Sequence, residues 1–208
     1  FQAEDGIRDF CLSRGLGDVY KRQLNKLTKN NHQGIVATIS PISTLDINGL
    51  EGILKNTKSL LILVLDGITD TKNFGAIIRS SECFDVDLII TAKTGSSPIN
   101  GETIKSSSGA IFNVPICKVN HIKDAIFLIK ENEINLVGTS YKGLSSLYEH
   151  KFNSRTAIII GSEGQGVNKS VLKLCDQVVN IEMQGKISSL NVSVATGIFL
   201  SEFRRQLN

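Results

Sequence analysis

Apolar positions along the chain follow two periods. "SLLILVLDGI" (59–68) is a continuous apolar run of strand length, the pattern of a strand covered on both faces. "KNFGAIIRSSECF" (72–84) switches to helical spacing, with Phe74, Ile77, Ile78 and Cys83 in register. "DLIITA" (87–92), "INLVGTS" (134–140), "TAIIIGSE" (156–163) and "QVVNIEM" (177–183) predict further strands. Residues 101–108 predict a short helix and 121–132 a clearer one, with Ile122, Ala125, Ile126 and Ile129 on one face. "NKSVLKLC" (168–175) also predicts a helix. Upstream, "HQGIVATISP" (32–41) reads as a strand and 43–56 as a helix. The last segment begins by alternating apolar and polar residues, but Ser189–Arg205 is too long for a strand, and Ile198, Phe199 and Phe203 keep helical spacing. It is expected to be a helix capped by Ser188 or Ser189. Strands alternating with helices predict an α/β fold, a mostly parallel sheet flanked by helices.

Composition adds limits. The 208 residues are 41% hydrophobic and 21% charged, an ordinary globular profile. No apolar run approaches the roughly 20 residues of a membrane span. The net charge of +3 permits an RNA partner without arguing for one. Cys11, Cys83, Cys117 and Cys175 form no C-x-x-C pair, which argues against zinc or a disulfide framework and for reduced thiols in a cytoplasmic protein. "FQAEDGIRDFCLSRGLGDVYKRQ" (1–23) lacks periodicity and a signal-peptide pattern, and it resembles translated sequencing-adapter sequence. Residues 1–23 are therefore expected to be non-native, with a truncated native chain starting near Leu24.

Ligands in an open α/β sheet bind beyond the carboxyl ends of its strands, and three such ends carry unusual residues. In "DGITDTKNFGAIIRS", Asn73 and Gly75 open a helix and Arg79 follows six residues after Asn73. The planar guanidinium suits a phosphate, although a surface arginine in a salt bridge gives the same spacing. In "IIIGSEGQGVNKS", Glu163 sits in a glycine-rich loop. No Gly-Lys-Ser/Thr follows, and Lys169 occupies the third glycine position of the dinucleotide fingerprint, so neither a Walker loop nor a dehydrogenase loop is supported. A tight turn with a capping acid is the plainer alternative. In "IEMQGKISSLNVSVA", a strand ends near Met183, Gly185 turns, and a helix N-terminus follows, where free backbone N–H groups favour electron-rich ligand atoms. His32, His121 and His150 are scattered and read as surface or satisfied histidines.

Taken together and in this order, Asn73-x-Gly75-x-x-x-Arg79, Gly161-Ser162-Glu163-Gly164-x-Gly166 and Ser189-Leu190-Asn191-Val192-Ser193-x-Ala195 resemble the three motifs of the SpoU (TrmH) family of RNA ribose 2′-O-methyltransferases. The similarity covers about residues 32–206, and "NHQGIVA" is similar to the join between an RNA-binding domain and the catalytic domain in the RlmB-like branch. The resemblance implies a linker and the start of the catalytic region over 24–56, a catalytic domain over 57–208, and a missing N-terminal RNA-binding domain. It implies a deep C-terminal trefoil knot, a homodimer, and no metal. S-adenosylmethionine is the implied cofactor, contacted by Thr139, Gly161, Ile181, Met183 and Leu190. It also implies that Arg79 serves the attacking ribose and its phosphate, with Asn73, Glu163, Ser189 and Asn191 positioning Arg79 and the RNA. The implied substrate is a guanosine of 23S ribosomal RNA. A transfer RNA substrate, a non-catalytic RNA-binding or assembly factor, and a dinucleotide-binding domain remain the alternatives.

Overall fold

A computed structural model describes residues 17–27, 36, 40–55, 58–143, 145–187 and 189–207. The chain divides into two compact units, residues 1–41 and 42–208. The first contains helix α1 (Gly17–Leu27), which crosses the expected junction at Leu24. The strand expected over 32–41 falls almost wholly outside the described residues.

The second unit is built on seven parallel strands. In chain order its elements are α2 (Ile47–Leu54), β1 (Leu60–Asp66), α3 (Thr71–Cys83), β2 (Leu88–Ala92), α4 (Gly101–Ser106), a 3-10 turn (Ala110–Phe112), β3 (Ile116–Val119), α5 (Ile122–Glu131), β4 (Asn135–Thr139), β5 (Ser145–Ser146), β6 (Arg155–Gly161), α6 (Lys169–Leu172), β7 (Gln177–Asn180) and α7 (Val192–Leu207). The strands lie in the order β3-β2-β1-β6-β4-β7-β5.

β1 explains the continuous apolar run. Hydrogen-bonded between β2 and β6, it sends alternate side chains into two cores. Leu61, Leu63 and Leu65 meet Phe74, Ile77 and Ile78 of α3 and Phe199, Leu200 and Phe203 of α7. Leu60, Ile62 and Val64 meet Leu50 and Leu54 of α2 and Ala125, Ile126 and Ile129 of α5. β6 divides in the same way, Ile158 and Ile160 against Ala157 and Ile159. Helices thus cover both faces, and every strand points its carboxyl end to one edge of the sandwich.

Several boundaries differ from the expectation. The edge strand β3 has the mixed pattern Ile-Cys-Lys-Val, which gave no signal; the sheet and a flanking bridge from Leu45 to Cys117 impose it. Two-residue β5 is too short for any period. Ile181 and Met183 lie beyond β7, in irregular backbone. Helix α7 begins at Val192, not at Ser189. Its cap is Asn191: the side-chain Oδ1 accepts from the Ser193 N–H at 2.9 Å, and the backbone carbonyl accepts from the Ala195 N–H at 3.0 Å. Ser189 is therefore exposed, irregular backbone outside the helix.

The far end of α7 is anchored by Glu202, which is only 7% exposed. Its carboxylate accepts from Arg205 Nε at 2.8 Å, Arg205 Nη2 at 2.6 Å and Gln206 Nε2 at 2.8 Å. Gln206 Nε2 also donates to the His150 carbonyl at 2.8 Å, and its Oε1 accepts from the Phe152 N–H at 3.0 Å, stapling the helix to the segment that enters β6.

At the other end of β6 the backbone doubles back. Ser162 bridges Gly166, and Gly164 and Gly166 adopt φ of 86° and 68°. A Cβ on Gly161 would lie 2.0 Å from Gly166 C and 2.0 Å from Val167 N. Gly161→Ala is expected to lower stability by about 3 kcal/mol in urea titrations, since backbone must move to admit the methyl. Gly164→Ala, whose Cβ would meet nothing within 4 Å, pays only the left-handed φ, about 1–2 kcal/mol.

The arginine hydrogen bonds hold the Glu202 carboxyl well below its ordinary 4.5, at about 2. A depressed carboxylate pKa stabilises the fold fully above the unfolded value and loses that contribution as pH falls from about 4.5 towards 2. Glu202→Gln is expected to flatten the loss of thermal stability across that acid window, measured by melting temperature against pH.

Candidate functional site

The three sequence motifs meet at the carboxyl edge of the sheet. Asn73 lies in the first turn of α3, where Asp70 Oδ1 accepts its backbone N–H at 2.7 Å and so fixes the helix start. Asn73 Nδ2 donates to Glu163 Oε1 at 3.0 Å. Asn191 Nδ2 donates to the same oxygen at 2.9 Å and to Asn73 Oδ1 at 3.0 Å. A carboxylate from the turn after β6 thereby ties the start of α3 to the cap of α7. Glu163 Oε2 accepts from no described residue, and on this exposed side chain it keeps acceptor capacity.

Two further residues support this cluster. Asp66, the last residue of β1, accepts the Asn168 N–H through Oδ2 at 2.8 Å and so pins the far side of the Glu163 turn. Gly75 admits α4: a Cβ there would lie 1.9 Å from Ser106 Oγ and 2.9 Å from Ser107 N. Ser106 Oγ in turn donates to the Thr71 carbonyl at 3.2 Å, and Thr71 Oγ1 donates to Glu102 Oε2 at 2.8 Å. Glycine in the first motif is thus needed for helix packing beside Asn73.

Beside the cluster opens a cavity of about 1170 Å³ at the ends of β4, β6 and β7. Thr139, Gly161, Ile181, Met183 and Leu190 all line it, as do Glu163, Ser189 and Asn191. Thr139 Oγ1 donates to the Ile159 carbonyl at 2.9 Å, which turns its hydroxyl towards the sheet. Val192, Ala195 and Phe199 of α7 add an apolar wall. Cys175 also lines the cavity, where burial, and then the charge of Asp176, push its thiol up to about 11. It is a neutral thiol near pH 7 and no candidate nucleophile.

Arg79 is not brought into the cluster. Six residues beyond Asn73, it lies about 9 Å further along α3 and about 240° around it. It is exposed and has no hydrogen bond or ion pair with any described residue, which excludes the surface salt bridge within this chain's described part. His121 is exposed, and His150 is buried with its ring 4.5 Å from that of Phe152; neither lines the cavity. His32 lies outside the described residues. Among the described residues no His/Cys/Asp/Glu group could hold a metal ion, and no helix is long and apolar enough to cross a membrane.

Comparison with known proteins agrees with this geometry. The profile of the SpoU rRNA Methylase family matches residues 60–201, which include all three motifs. The chain is 38% identical, over 85% of its length and 71% of the relative's, to the 23S rRNA (guanosine-2′-O-)-methyltransferase RlmB of Vibrio vulnificus. Its fold is similar to the SpoU methyltransferase AviRb of Streptomyces viridochromogenes, solved with the cofactor AdoMet: TM-score 0.69 and 28% identity over 74% of this chain. The chain spans 60% of the length of that structure. A TrmH/SpoU tRNA modifying enzyme from A. aeolicus gives a TM-score of 0.66 and 29% identity, covering 76% of this chain and 81% of that one. By the family profile and these relatives, the chain belongs to the SpoU rRNA methylase family.

Proposed function

We propose that this protein transfers the methyl group of S-adenosylmethionine to a ribose 2′-hydroxyl of RNA, at a guanosine of 23S ribosomal RNA. The observation that carries the reading is the convergence of Asn73, Glu163 and Asn191 beside a cavity lined by Thr139, Gly161, Ile181, Met183 and Leu190. That cavity fits the cofactor in kind: Gly161 and the turns around it present backbone polar groups, and Leu190, Ile181 and Val192 present apolar surface for a purine ring. The bound cofactor supplies a methyl group already activated on a sulfonium.

What remains for the chain is orientation, exclusion of water and removal of one proton. Glu163, held by the two amides, keeps Oε2 free to accept a hydrogen bond from the incoming ribose. Arg79, exposed and without a hydrogen-bond or ion-pair partner among the described residues, meets a phosphate further along the RNA as a planar donor; it is permanently charged and is not the base. Ser189, exposed at the cavity, positions the RNA.

The wider reading includes the catalytic domain over 57–208, a cytoplasmic setting given by the ribosomal substrate, and a homodimer whose interface adjoins the site. Ile187 (78% exposed) and Val194 (50% exposed), beside the third motif, are apolar surface that such an interface would cover. A deep knot is also proposed. Its support is the path of the chain, which leaves β7 two places from β6 in the sheet and returns to pack α7 on α3 and β6. Transfer RNA is the second reading, favoured by the likeness to the A. aeolicus enzyme.

Purified protein given labelled S-adenosylmethionine and unmodified 23S ribosomal or transfer RNA is expected to label a ribose 2′-oxygen of the ribosomal RNA. Label on transfer RNA alone would replace the substrate, and cofactor binding without transfer to either RNA would remove the activity. Arg79→Ala and Glu163→Ala are each expected to lower kcat/KM by about 100-fold, the scale of a misplaced reactant, with cofactor affinity within a few-fold of wild type.

A further inference from the structure

The turn after β4 has features that the cluster and the cavity do not use. Ser140 opens it, its carbonyl accepting the Gly143 N–H at 2.9 Å and its Oγ accepting the Lys142 N–H at 3.2 Å. Gly143 rests directly on β7, where a Cβ would lie 2.9 Å from the Val178 carbonyl oxygen. Asn180 Nδ2 donates to the Gly143 carbonyl at 2.7 Å. The turn is therefore tied down at both ends, yet its two central side chains point outward. Tyr141 is 66% exposed, and Lys142 Nζ lies 5.2 Å from its ring centroid. Both line the cavity that Glu163 and Asn191 also border. Lys142 has no carboxylate partner among the described residues.

We infer that the Ser140–Gly143 turn is an RNA-binding lip, on which the Tyr141 ring stacks an unpaired base while Lys142 meets the neighbouring phosphate. The inference rests on the proposed ribose methylation and adds how its substrate is held. A large aromatic ring left in water on a stapled turn is a preformed face for a planar partner, with little ordering entropy still to lose. Nucleobases are such partners, and stacking accepts any base. Two sources of a base are at hand, the RNA and the adenine of the cofactor. Charge favours RNA: a phosphodiester is purely anionic, whereas S-adenosylmethionine is net cationic, its sulfonium and ammonium outweighing its one carboxylate, so Lys142 gains more from RNA.

The test uses the full chain, S-adenosylmethionine, and a labelled single-stranded RNA oligonucleotide containing guanosine. Tyr141→Ala is expected to raise the RNA Kd by about 5- to 150-fold, the range of one lost base–aromatic stack. Tyr141→Phe should stay within about threefold of wild type, and the S-adenosylmethionine Kd should be unchanged in both. Lys142→Ala should reduce the slope of log Kd against log salt by about 0.7, the loss of one phosphate contact on a single strand. Unchanged RNA affinity in Tyr141→Ala, in a protein that still methylates RNA, overturns the lip alone. Weakened cofactor binding with RNA affinity intact also overturns it and assigns the ring to adenine. A wild-type protein that binds the cofactor but neither binds nor methylates RNA overturns the methyltransferase reading, and the lip with it.

Discussion

One carboxylate oxygen, Glu163 Oε1, accepts hydrogen bonds from amides 90 and 28 residues away in the chain. Hydrogen bonds to an ionisable acceptor contribute about 1.5–3 kcal/mol each when shielded, and less at an exposed site such as this. Their value here is geometric. The third contact, between Asn191 and Asn73, closes a triangle, so none of the three side chains can rotate without breaking two bonds. Everything that shapes the site acts through that triangle. Asp70 sets the start of α3, Asp66 holds the Glu163 turn through Asn168, and Gly161 lets β6 fold back so tightly that Glu163 can reach inward. The parallel sheet supplies the rest, because it delivers three chain ends to one edge.

Legibility in the sequence followed the range of the forces involved. β1, β2, β4 and β6 were readable because a strand buried on both faces must be apolar at every position, and α3 and α5 because one face of each meets a core. β3 and β5 were not, since Lys118 interrupts one and the other has only two residues; pairing with a neighbour makes them strands. Helix α7 starts three residues beyond Ser189, the start that the spacing predicts. Ser189 and Asn191 are equally good caps by composition, and only the contacts of Asn191 with Asn73 and Glu163 decide between them. The site was legible as three separate strand ends, and their relation came from resemblance to a family. Spacing alone could not say that Asn73 and Glu163 touch, nor that Arg79 stands apart from both.

The polar groups at this edge fall into two sets. Asn73, Asn191, Asp66 and Asp70 spend their hydrogen-bonding capacity on other parts of the chain. Lys142, Glu163 Oε2 and the ring of Tyr141 do not spend theirs on any described residue, and all belong to exposed residues. Leaving them in water costs the fold little, since charged and amphipathic groups are well solvated there. The same groups cost a great deal if buried without partners. A ligand that covers this edge must therefore bring an anion for Lys142, a donor for the carboxylate oxygen and a flat face for the ring. A ribose with its hydroxyl, phosphate and base carries all three within one nucleotide and its neighbour, which is why the unpaired set argues for RNA more strongly than the net charge of +3 does.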